Sequence, residues 1–139
     1  MVSFEKVIRK FQQLDEYLRI LQAISQTPQE IYLKDKIVIG SAKYYLQVSI
    51  ECCLDVANHV IASEKFRAPK DYSDSFMVLQ EERIIPSKLG NQLRQMAKFR
   101  NRLVHLYGEV DDAYVYEYIR GELKDFIEFK SIIIKRYKT

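Results

Sequence analysis

Four glycines and three prolines are few for 139 residues. Average usage of about 7% Gly and 5% Pro would supply roughly twice as many, and the shortage argues against a loop-rich or all-β fold. The only two cysteines, Cys52 and Cys53, are adjacent. That spacing suits neither a disulfide framework nor a C-x-x-C metal site, and their apolar neighbours read as core. No apolar run approaches the ~18 residues of a membrane span, and Met1–Lys6 holds no apolar leader block. The expectation is therefore a cytoplasmic protein with no membrane association. Neither charge sign dominates: 22 Lys+Arg against 19 Asp+Glu give a net charge of +3. Such a balance permits nucleic-acid binding without arguing for it. His59 and His105 are the only histidines, so any imidazole chemistry must use one of them.

Hydrophobic residues at 47% and charged residues at 29% describe a globular chain, and its length fits one domain over residues 1–139. The periodicity is helical nearly throughout. Phe4, Val7, Ile8, Phe11, Leu14, Leu18 and Leu21 draw one apolar face over about 3–25. Thr27-Pro28-Gln29-Glu30 reads as a capped helix start, opening a long helix over about 28–63 that is apolar on more than one side. A connection over 64–73 contains Pro69. Ser73 then caps a short helix to about Glu82, and Pro86 opens another over about 86–107, closed by Gly108 in a left-handed cap. Asp111 or Asp112 caps a last helix over about 112–136. The sum is an all-α up-and-down bundle of about five helices.

Several chemistries are excluded. There is no Gly-rich phosphate loop, no H-E-x-x-H and no G-x-S-x-G. Gly40-Ser41 superficially matches a nucleotidyltransferase start, but no D-x-D pair follows to hold Mg²⁺. No metal site is expected. Tyr114, Tyr116 and Tyr118 would suit base stacking, although packing along a helix face is the ordinary reading. Asp55, Asn58 and His59 place polar groups in a strongly apolar helix, where hydrogen-bonded core roles are usual.

Residues 99–108 are the unusual stretch, with the pattern R-x-x-x-x-H-x-Y at Arg100, His105 and Tyr107. At roughly 100° per residue, Arg100 falls in the apolar stripe of Leu89, Leu93, Met96, Leu103 and Val104. A guanidinium there needs an acid, a phosphate or a wet cleft. One reading is a buried ion pair, with Asp55 as the candidate acid. The other is an anion site, for which the charged planar fork of Arg and the near-neutral titration of His are suited. On one unbroken helix, positions 100 and 105 diverge by roughly 140°. Either the helix loosens near Gly108, or two copies of it line one cleft across a two-fold axis; the second alternative is preferred because it also explains the interrupted stripe.

Arg100-Asn101-Arg102-Leu103-Val104-His105-Leu106-Tyr107, followed by Gly108, resembles the signature of the HEPN superfamily, and within it the HepT toxin family. Cys53-Leu54-Asp55-Val56-Ala57-Asn58-His59 on the long helix is similar to the family's corresponding segment. The resemblance covers nearly the whole chain. It implies a helical homodimer that cleaves RNA, in some members tRNA, at the dimer interface without metal or other cofactor. It assigns Arg100 and His105 as catalytic and Asn101 as supporting; Asp55, the candidate acid of the ion-pair reading, is added as a candidate outer-shell group. It also implies a partner, an MNT-type nucleotidyltransferase antitoxin, that transfers AMP to the motif tyrosine, here Tyr107. The competing reading is a non-catalytic helical module that binds and assists a partner nucleotidyltransferase.

Overall fold

The first helix, α1 (Phe4–Ser25), buries Val7, Phe11, Leu14, Leu18 and Leu21 at alternating steps of four and three. Phe4 and Ile8, expected on the same face, are only half-buried. The computed structural model describes residues 1–139 and continues as α2 (Gln29–Tyr32), α3 (Lys36–Glu64), α4 (Tyr72–Glu81), α5 (Ser87–His105), a 3-10 turn (Tyr107–Glu109), α6 (Asp112–Gly121) and α7 (Lys124–Tyr137). The all-α expectation holds, with seven α-helices in place of about five. None is long and apolar enough to cross a membrane.

The two extra helices come from breaks inside expected long ones. Pro28, not Thr27, occupies the cap position of α2 and makes no side-chain cap bond. Asp35 then starts α3 afresh, its carboxylate accepting from the backbone N–H groups of Ile37 and Val38 at 3.1 and 3.2 Å. Near the other end, Gly121, a poor helix former, closes α6 and Lys124 opens α7. Asp71 caps α4 where Ser73 was expected, and Asp111 caps α6.

The bundle is organised around α3. Its buried residues, from Ile39 to Ile61, point to several sides, and it packs on α1, α4, α5, α6 and α7. Cys52 and Cys53 are free thiols in this core, as their surroundings implied. Burial pushes both thiols up, Cys52 to about 11, so neither is a ready thiolate. Both ends of the α3–α4 hairpin turn without glycine. Lys65 (φ 59°) and Arg83 (φ 60°) take the left-handed position, while the N–H groups of Phe66 and Ile84 donate to the carbonyls of Ile61 and Leu79 at 3.0 and 2.9 Å. A side chain in that conformation costs roughly 1–2 kcal/mol.

His59 serves this packing. Its Nε2 accepts the backbone N–H of Ser3, the α1 cap, at 3.0 Å, tying the start of α1 to α3. Burial, with Lys6 and the amino terminus nearby, holds its pKa below the ordinary 6.5. The unfolded chain therefore takes up a proton first as pH falls through about 6.5, and stability drops on the acid side. Urea midpoints at pH 7.5 and pH 5 should fall in the wild-type protein and fall less in His59→Gln, which keeps an acceptor but does not titrate. Equal losses in the two would refute this role.

Candidate active site

Near its C-terminal end, the face of α5 that is core-facing higher up comes out from under α4. Arg100, Asn101, Val104 and His105 occupy an arc of roughly 140° there. All four line one groove of about 950 Å³, whose other walls are α3, the start of α4 and the connection between them. Positions 100 and 105, despite their predicted divergence, thus line one groove within one chain. Val104, expected in the buried stripe, is exposed in the groove.

Arg100 does sit against an acid, but the acid is Glu51 rather than Asp55. Its Nε and Nη2 donate to Glu51 Oε2 at 2.9 and 2.6 Å, and Nη1 donates to Asn101 Oδ1 at 3.2 Å. The guanidinium carbon lies 4.9 Å from the centre of the Tyr72 ring. Three of the five N–H groups of the fork are occupied, and one on each terminal nitrogen remains for an oxyanion. Asp55 lies one helical turn beyond Glu51, paired to Lys10 of α1 at 2.9 Å. It reaches Arg100 only as a fellow lining residue of a smaller adjoining hollow. Asn58 accepts from the Ser75 hydroxyl at 2.7 Å and so joins α3 to α4 below the groove.

His105 is the last residue of α5, exposed, with no hydrogen bond to the protein from its ring. The helix ends there because Leu106 leaves helical geometry (φ −127°, ψ 34°). The expected extension to residue 107 and the left-handed cap at Gly108 do not form; Gly108 belongs to the 3-10 turn and has no positive φ. The turn carries Tyr107 away from the groove to the opposite half of α3. Its hydroxyl donates to the Gly40 carbonyl at 3.3 Å, and Lys43 Nζ lies 4.9 Å from its ring centre. Lys43 is buried, donating to the Tyr107 carbonyl at 3.1 Å and pairing with Asp112 at 2.8 Å.

The groove's outer wall is held by charge. Arg67 grips both oxygens of Asp74 at 2.8 Å and also reaches Glu81 at 2.9 Å. This side-chain pairing, with the Lys70 N–H, holds the Asp74 carboxyl well below the usual carboxylate range. The Lys70 N–H meets Asp74 at 2.9 Å, so the network fixes the segment that faces Arg100.

Neither Glu51 nor the Lys43 clamp was visible to sequence reasoning. Glu51 and Asp55 share one face of α3, four residues apart, and only the packing register separates them. Side-chain exposures of 17% for Arg100 and 30% for Glu51 put the pair at the core's edge. Glu51→Ala should therefore destabilise the protein by about 1–3 kcal/mol, by leaving a half-buried guanidinium without its acid. In urea unfolding, the double variant with Arg100→Ala should cost less than the sum of the single ones; additive losses would mean the contact is not coupled.

Residues 14–133 match the sequence model of a family described as Ribonuclease HepT-like. The mRNA nuclease HepT of Shewanella oneidensis is 28% identical over 131 residues, 91% of this chain and 95% of that protein. The tRNA nuclease HepT of Aphanizomenon flos-aquae is 25% identical over 130 residues, 91% of this chain and 87% of that protein. A solved structure of the tri-AMPylated Shewanella oneidensis HEPN toxin in complex with MNT antitoxin superposes with a TM-score of 0.87 at 26% identity, covering 94% of this chain and 97% of that one. With a family match over most of its length and a fold in keeping with it, the chain belongs to the HepT-like ribonuclease family.

Proposed function

We propose that this protein is a ribonuclease toxin of a toxin–antitoxin pair, cutting RNA in the Arg100–His105 groove without a metal ion. The observation that carries the reading is the meeting of a fixed guanidinium, an amide and a free imidazole in one open groove. Relatives named as mRNA and tRNA nucleases support it.

Arg100 binds the scissile phosphate with its two remaining N–H groups and stabilises the charge that builds on the phosphoryl oxygens. His105 takes the proton of the ribose 2′-hydroxyl, or gives one to the departing 5′-oxygen. The 2′-oxygen bonds to phosphorus as the P–O5′ bond breaks, leaving a cyclic phosphate and a 5′-hydroxyl. Asn101 orients the guanidinium. Asp55, held by Lys10, has no direct part. A homodimer belongs to this reading: it would face two grooves across a two-fold axis and cover the apolar rim of Val104 and Leu106, which are 38% and 46% exposed. Neutralisation comes from an MNT-type nucleotidyltransferase that transfers AMP to Tyr107, by analogy with the AMPylated toxin in its complex. The added charge and bulk, two residues from His105, hinder RNA.

Labelled RNA incubated with the purified protein in excess EDTA should be cut, and 2′-deoxy substitution at the scissile position should protect it. His105→Ala should slow cleavage by about 10²–10⁴-fold, and Arg100→Ala by about 10²–10³-fold. Full cleavage by His105→Ala would sink the mechanism. With an MNT-type partner and ATP, mass spectrometry should detect an AMP adduct that Tyr107→Phe removes; an adduct persisting in that variant would place the modification elsewhere.

A further inference from the structure

A second hollow, of about 470 Å³, opens on the far side of α5, towards the junction of α6 and α7. It takes in the aromatic cluster that the catalytic reading leaves unused. Tyr114 is 51% exposed along it. The ring of Tyr114 meets Phe99 edge-on at 5.3 Å, and Phe99 stacks on Tyr118 at 5.6 Å. Lys98 and Arg102 are its exposed cationic lining, Glu122 is a half-buried acid beside them, and Asp125 is its buried acid.

Asp125 is the anomaly. It is 94% buried by its 6% residual exposure, yet no hydrogen bond or ion pair reaches its carboxyl. Desolvation, with Glu122 nearby, pushes its pKa up. The other buried side chain that carries a full charge, Lys43, has both an acid and a carbonyl as partners. The Asp125 oxygens are not sealed from solvent but open onto the hollow, where a guest can supply the donors that the protein does not.

The lining specifies the guest. A carboxylate pairs best with two adjacent N–H donors in one plane. Guanine offers this through N1–H and its 2-amino group, whereas adenine presents an acceptor at N1. The half-exposed ring of Tyr114 can offer a stacking face, and Lys98 and Arg102 suit a phosphate. We propose that this hollow is a guanine-nucleotide site in which Asp125 accepts from the base edge, Tyr114 stacks on the ring, and Lys98 and Arg102 meet the phosphate. The nucleotide is either free or a residue of bound RNA; only the second source rests on the ribonuclease reading.

Calorimetric titration of the full chain with GMP and with AMP tests the site independently of any cleavage. GMP should bind about tenfold or more tightly than AMP, the discrimination of one good bidentate base contact. Asp125→Asn should abolish that preference while its melting temperature stays level or rises, since a buried unpaired carboxylate has been removed. Tyr114→Ala should weaken GMP binding. A short single-stranded oligoribonucleotide holding one guanosine should displace GMP, and its inosine analogue, lacking the 2-amino group, should do so less well. Displacement identifies RNA as the source, and GMP binding without displacement identifies a free nucleotide. Absence of binding by both GMP and the guanosine oligonucleotide, or a preference for GMP that survives Asp125→Asn, overturns the proposal whether or not RNA is cleaved.

Discussion

The pairing of Arg100 with Glu51 is the constraint around which the groove is built. A guanidinium stays charged at every accessible pH, so it cannot escape burial by losing its proton. Placed in the apolar stripe of α5, it would destabilise the contact with α3 unless an acid met it there. Glu51 does so through one edge of the fork and leaves the other edge towards the groove. One ion pair thus joins the two helices and sets the direction in which the guanidinium faces the groove. The same contact limits motion, since the guanidinium cannot swing away from α3 without stranding Glu51.

The groove's far wall depends on a different kind of restraint. Lys65 holds a left-handed conformation that most side chains avoid, and this reverses the chain so that Phe66 enters the wall. Arg67 then bridges Asp74 and Glu81 across α4. Its charges are exposed, so the network adds order to a connection more than it adds stability to the core. The groove face of α5 therefore looks onto a wall that is fixed at both ends.

Legibility from the sequence followed the range of the interactions involved. The α1 face and the helical class rest on periodicity within a few residues, and both were readable. Helix ends were readable only in part: Asp111, which caps α6, was one of two candidates there, whereas Ser73 was the one expected for α4 and Asp71, two residues earlier, caps it. The break at Asp35 was hidden by an uninterrupted apolar pattern on either side. Arg100 was recognisable as out of place, because its position on the wheel conflicts with its charge. Its partner was not, because Glu51 and Asp55 differ only in how α3 is rotated and shifted against α5. The exit of Tyr107 from the groove depends on the 3-10 turn, which residue spacing alone does not reveal.

That turn has one more property. The Tyr107 hydroxyl has a single hydrogen to give, and it gives it to the Gly40 carbonyl on α3. Gly40 permits the approach, since a methyl group there would stand 3.3 Å from the phenol oxygen. Any acyl, phosphoryl or nucleotidyl group esterified to that oxygen removes the hydrogen for as long as the bond lasts. The link to α3 could then not re-form, and the ring would be left to Lys43 alone. A covalent mark at this position would therefore remove one of the loop's ties to α3, leaving the Tyr107 carbonyl held by Lys43, as well as adding a charge.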